Sequence, residues 1–111
     1  MYQEHTLNNG LKIFMVPVHT FQSVSVGVFV RVGSRYETEL NAGISHFIEH
    51  MLFKGTTNRP NSGLIAEAIE GIGGVSNAYT SQDTTVFYAK VAASQIDIAL
   101  DFLADLLRHS L

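Results

Sequence analysis

His46-Phe47-Ile48-Glu49-His50 is the stretch whose reading decides the fold of this chain. On an α-helix, side chains four positions apart lie about 40° from each other and roughly one turn apart along the axis. His46 and His50 therefore share a face, and Glu49 falls on the same side. Two imidazoles and a carboxylate converge on one patch. Such a set can hold a divalent metal through two nitrogens and keep a base beside it. The flanks carry helix punctuation. Asn41 is placed to cap the N-terminus, with Glu39 near the positive end of the dipole. Ile44, Phe47, Ile48, Met51 and Leu52 form a broad apolar surface, Lys54 falls in the last turn, and Gly55 follows as a stop. The expectation is a mostly buried helix that holds its histidines rigidly. The plainer reading is the polar face of an ordinary amphipathic helix, so the pentapeptide needs its context.

Working outward, the chain of 111 residues makes one domain or part of one. A free-standing domain of this size buries roughly 65% of its unfolded surface, enough for a core. An apolar fraction of 46% and a charged fraction of 15% exclude a disordered chain. The net charge of -3, with scattered Lys and Arg, argues against nucleic acid or an anionic membrane as partner. There is no cysteine, so disulfides and thiolate metal sites are excluded and any metal must use His and carboxylate. No apolar run reaches the roughly 18 residues of a membrane span. Met1 leads directly into Tyr-Gln-Glu-His without a secretory pattern, and the expected location is the cytoplasm.

Before the histidine stretch, Glu4 to Leu7 and Leu11 to Val16 read as short strands joined by Asn8-Asn9-Gly10, a hairpin signal. Ser23 to Gly33 alternates, with Val24, Val26, Val28, Val30 and Val32 on one side, and reads as a central strand. After it, Gly55 to Gly63 is a loop, and Ser62 caps a second helix over roughly Gly63 to Gly71. Gly71, Gly73 and Gly74 follow a helix and precede a strand, which is turn geometry and not a phosphate loop. Val75 to Thr80 and Thr84 to Val91 read as two strands around Ser81-Gln82-Asp83. Ser94 to Leu111 is an amphipathic helix built on Ile96, Ala99, Leu100, Leu103, Leu106 and Leu107. Asp97, Asp101 and Asp105 recur every four residues on it and read as a solvated face, with a cation site as the sharper alternative. The order β-β-β-α-α-β-β-α implies an α+β fold: a mainly antiparallel sheet with helices packed on one face. The last helix ends at Leu111 without a polar tail, as if interrupted.

Several segments together resemble a known family. They are Asn9-Gly10-Leu11, Val32 to Glu37, Gly43 to Thr56 with its H-x-x-E-H, Asn77-Ala78-Tyr79-Thr80-Ser81 and Asp83-Thr84-Thr85. They resemble the first half of the first domain of M16 metallopeptidases, the group of pitrilysin, insulysin and the mitochondrial processing peptidase. The likeness is greatest to the bacterial relatives of the processing peptidase β subunit. The resemblance implies a zinc endopeptidase of the inverted-motif class acting on peptides or presequence-like segments. It implies that His46 and His50 bind Zn2+ and that Glu49 is the general base. It implies that Asn77 and Ala78 lie on an edge strand that pairs with peptide main chain, and that Phe53 and Tyr79 line the pocket beside the scissile bond. Arg35 and Asp83 are expected in structural roles. The family's third ligand is a glutamate about 75 residues after the second histidine, which falls past Leu111. Residues 1–111 are therefore expected to be the N-terminal part of one M16-type domain, inactive alone, from a protein that works as a dimer or two-domain clamp. Two other readings are a non-catalytic partner subunit and a peptide-binding module that uses an exposed strand edge.

Overall fold

The computed structural model describes residues 2–18, 20 and 22–110. Eight main elements follow in the expected order: β1 (Gln3–Thr6), β2 (Lys12–Met15), β3 (Ser23–Val30), α1 (Ile44–Leu52), α2 (Ser62–Glu70), β4 (Val75–Thr80), β5 (Thr85–Ala92) and α3 (Ile96–Arg108). Short 3-10 turns at Ser34–Tyr36, Glu39–Asn41 and Ala93–Gln95 join them. The helix expected over Ser94 to Leu111 thus begins at Ile96, and Leu111 lies outside the described residues. All strand pairing is antiparallel. β1 and β2 form a hairpin whose turn puts only Gly10 at positive φ (+92°), with Gly10 N–H donating to Leu7 O at 2.9 Å. That is a three-residue loop with a glycine bulge, so Asn9 needs no left-handed backbone.

β3, β5 and β4 form the main sheet, in that order. Register places Val24, Val26, Val28 and Val30 opposite Val91, Ala89, Phe87 and Thr85, and Ser76, Ala78 and Thr80 opposite Ala89, Phe87 and Thr85. These residues share one face of the sheet, because side chains alternate along a strand. α2 and α3 cover that face. Ile65 and Ile69 of α2, Ala99, Phe102, Leu103 and Leu106 of α3, and Phe87, Ala89 and Val91 of β5 make the core. Each large apolar side chain buried there contributes roughly 1.5–3 kcal/mol. The expected α+β layering is what the structure has.

Four expectations are corrected. β3 is an edge of this sheet, and β5 is its centre. Alternating valines report that one face is buried; they do not report how many neighbours a strand has. α2 is capped by Asn61, whose Oδ1 accepts from Leu64 N–H at 2.9 Å, and Ser62 is its first residue. α1 is not mostly buried. Its only buried residues are Ser45 and Glu49, while Phe47 is 63% exposed and Ile44, Ile48 and Met51 are exposed too. The helix turns its polar side to the protein, because the surface it meets is the polar end of β4. Finally, the aspartate row is not uniformly solvated.

Asp97 and Asp101 are exposed, but Asp105 is 3% exposed. Its carboxylate accepts from Thr56 Oγ1 at 2.6 Å, Asn58 Nδ2 at 2.9 Å and Arg59 Nη1 at 2.6 Å. Arg59 also reaches Asp101 at 3.2 Å. The loop after α1 is thereby pinned to α3, and Thr57 N–H donates to His109 O at 2.9 Å to extend the seam. A carboxylate can be buried here because donors from a distant loop replace its water. Burial raises the Asp105 pKa, but the hydrogen bonds from Thr56, Arg59 and Asn58 and the Arg59 charge outweigh it and hold it below the usual aspartate value.

A group whose pKa is depressed on folding adds stability above its unfolded pKa, ~3.9, and loses it as pH falls through the folded value. Asp105→Ala is expected to lower stability by about 3 kcal/mol at neutral pH, since it strands Arg59 and two polar donors. In urea unfolding followed across pH, the gap between wild type and variant should close below pH ~4; a gap that does not change with pH would contradict this assignment.

Candidate metal centre

α1 places His46, Glu49 and His50 on one side, and their ligating atoms all lie within 4.8 Å of one another. The two Nε2 atoms face each other at 2.8 Å, with ring centroids 4.5 Å apart and planes inclined at 59°. Both rings are exposed; Glu49 is 8% exposed. Two imidazole nitrogens aimed at a common point suit a zinc-like cation. Bonds of ~2.0–2.1 Å at a tetrahedral angle put such nitrogens about 3.3 Å apart, so the rings need to part by only about half an ångström. Glu49 is tied from the other side, where Thr80 Oγ1 of β4 donates to Glu49 Oε2.

The start of α1 is held by a residue that the sequence pattern did not single out. Glu37 spans the first turn: Oε1 accepts from Gly43 N–H and Oε2 from Ser45 N–H, each at 2.8 Å. Gly43 is the N-cap at φ +85°, and no capping side chain comes from Asn41. Asn41 instead closes a capping box with Thr38 around the preceding 3-10 turn. The Glu37 carboxyl is held below its ordinary value, first by the Ser45 hydroxyl and then by the Ser45 and Gly43 N–H groups. A carboxylate at a helix N-terminus also meets the favourable end of the macrodipole. Local capping rules search the cap and the first turn, and Glu37 lies outside that window.

The same loop grips the other side of the site. Arg35 N–H donates to Gln82 O at 2.8 Å, and Arg35 Nε pairs with Asp83 at 2.7 Å, which gives both residues the structural role expected of them. Gly33 lies so close to the turn after β4 that a Cβ there would sit 2.3 Å from Ser81 O. Only glycine permits this approach.

Between α1, the 34–43 loop and β4 runs an open trough of ≈ 1020 Å³. His46, Glu49, His50, Asn77, Ala78 and Tyr79 all line it, so six of the seven expected site residues meet in one place. Phe53 lines a smaller cleft of ≈ 360 Å³ between the end of α1, α2 and β4. Glu49, His50 and Asn77 border both spaces, and the Phe53 ring stacks on Phe87 at 6.3 Å. On β4, Ala78 N–H donates to Asn77 Oδ1 at 2.8 Å. The trough carries three carboxylates, Glu37, Glu39 and Glu49, and its described lining includes no Lys or Arg. Thr80 and Glu37 are the additions the structure makes. Strand parity puts Thr80 on the helix-facing side with Ser76 and Ala78, but no local pattern names Glu49 as its partner.

The chain is similar to known proteins over nearly its whole length. Residues 13–111 match the family model described as insulinase, peptidase family M16. An uncharacterised zinc protease of Bacillus subtilis is 46% identical over 110 residues, covering 99% of this chain and 27% of that protein. The mitochondrial-processing peptidase subunit β of Saccharomyces cerevisiae is 47% identical over 104 residues, covering 94% of this chain and 22% of that protein. The crystal structure of a protease from Helicobacter pylori superposes with a TM-score of 0.92 at 34% identity, over 100% of this chain and 27% of that one. The chain thus spans about a quarter of the length of these relatives. On both sequence and fold, it belongs to the insulinase family, peptidase family M16.

Proposed function

We propose that this chain is the N-terminal part of a zinc-dependent endopeptidase of the inverted H-x-x-E-H class. The observation that carries the reading is the facing Nε2 pair of His46 and His50 beside a buried Glu49, set along an edge strand. His46 and His50 would hold the ion, and a carboxylate from beyond residue 111 would complete its ligands. Zinc, when bound, supplies acidification of water and polarisation of the scissile carbonyl. Glu49 takes the proton from the attacking water and passes it to the leaving amine.

The peptide lies along β4 and pairs with its main chain, an interaction that depends little on substrate side chains. Asn77 and Ala78 provide that edge, and Asn77 swings off the Ala78 N–H as the peptide arrives. Tyr79 and Phe53 flank the reacting bond from the two adjoining spaces. The anionic trough supports presequence-like, cationic peptides as substrates, because carboxylates lining a cleft concentrate positive charge. The names of the relatives, a zinc protease and a processing peptidase subunit, support the same reading. The outward apolar face of α1 supports further protein covering it, in a dimer or a two-domain clamp.

In the full-length protein, Glu49→Gln should lower kcat by roughly 10²–10⁴-fold while zinc stays bound. His46→Ala and chelation should remove both metal and activity. Full activity in Glu49→Gln would end the assignment of the base. Peptide binding that survives chelator and His46→Ala, with no hydrolysis by wild type, would replace the enzyme with a peptide-holding module. For a Lys/Arg-rich peptide, KM should rise as salt shortens the Debye length from about 10 Å at 0.1 M to about 3 Å at 1 M. A neutral peptide of the same length should show no such rise.

A further inference from the structure

The Glu49 side chain has a partner that the reading above leaves unused. Thr80 is the last residue of β4 and donates its hydroxyl to Glu49 Oε2. Among the described residues this is the only side-chain hydrogen bond that Glu49 receives. A carboxylate as enclosed as Glu49 needs such a donor, because burying a charge without a partner is costly. The neighbouring hydroxyl on the same face of the sheet is already committed: Thr85, opposite Thr80 in register, donates to Val32 O at 2.9 Å. Thr80 is thus the one of the pair left to meet α1.

We propose that Thr80 is a positioning residue for Glu49: its hydroxyl holds one carboxylate oxygen so that the other faces the His46–His50 pair. This inference rests on Glu49 being the general base. A glutamate has three side-chain torsions, and a base must sit within about 3 Å of the proton it takes. Fixing one oxygen from a rigid element removes most of that freedom. Thr80 is itself well anchored. Ser81 N–H donates to Thr84 O at 2.8 Å and Ser81 Oγ to the same oxygen at 3.0 Å, so the turn immediately after Thr80 is closed on itself. Arg35 then grips that turn at Gln82 and Asp83. Because Thr80 ends the strand along which the peptide lies, one element sets both the peptide's position and the aim of the base.

The test is made in the full-length enzyme with Thr80→Val, which keeps the β-branched shape and loses the hydroxyl, and Thr80→Ser, which keeps the hydroxyl. Thr80→Val should lower kcat about 10- to 100-fold, the usual effect of removing a group that orients a reacting one. KM and zinc content should stay at wild-type values, while Tm falls modestly because buried Glu49 loses its side-chain donor. Thr80→Ser should return kcat to within a few-fold of wild type. On a Glu49→Gln background, Thr80→Val should cause no further loss, because the group it positions is gone. Wild-type kcat in Thr80→Val overturns the proposal. So does a loss that Thr80→Ser fails to restore, or one accompanied by lost zinc, since displacement of the helix would then account for it. If Glu49→Gln itself keeps full activity, the assignment of the base fails first, and that outcome is distinct from a failure of Thr80 alone.

Discussion

Helix α1 is seated chiefly by directional polar bonds, with apolar contact only at its C-terminal end through Leu52 and Phe53, and the geometry of the site depends on that. Only Ser45 and Glu49 are buried among its nine residues. Apolar burial is non-directional, so a greasy helix can rotate or slide at little cost. Hydrogen bonds to charged groups are directional and about twice as strong as neutral ones. Glu37 fixes the first turn, Thr80 meets Glu49 in the middle, and the loop leaving the helix is fastened to Asp105 on α3. Together these ties set the helix's rotation, and that rotation decides where both imidazoles point.

The 33–43 segment is what makes the two walls of the trough a single body. At one end it lies against the turn after β4, through Gly33, Ser34 and Arg35. A few residues later it holds the start of α1 through Glu37. The helix with the histidines and the strand with Asn77 and Ala78 are far apart in sequence. They are held at a common spacing because one irregular segment bonds to both. Irregular chain suits this work, since its unpaired backbone groups are free to bond sideways.

The elements themselves were legible in the sequence, because hydrophobic period and turn chemistry are local signals. The valines of β3, the glycines after α2 and the leucines of α3 placed those elements within a few residues. His46, Glu49 and His50 were legible for the same reason: helical spacing is arithmetic. What was not legible was orientation. The apolar stripe of α1 predicted a buried helix, yet Phe47 and Ile48 face outward. The periodicity identifies a face but not what that face meets. Asp105 matched Asp97 and Asp101 in spacing, and what sets it apart is the loop returning from 46 to 49 residues away to enclose it with Thr56, Asn58 and Arg59. Glu37 and Thr80 escaped for the same reason: each acts across the fold on a residue that no local window contains.

The edge of β4 has one more consequence. A strand edge that can receive a peptide can equally receive the strand of another molecule, and proteins must guard against such pairing. Here the guard is built from the strand itself. The Asn77 carboxamide sits on the Ala78 N–H and removes one donor from the exposed row. An incoming chain has to replace a bond that is already made, so it gains only the difference. A loosely fitting neighbour gains too little to stay, whereas the peptide proposed to lie in the trough would have further contacts to draw on. On the proposed reading, a single amide side chain would act as a filter, keeping the edge available while discouraging the self-assembly that an open edge invites.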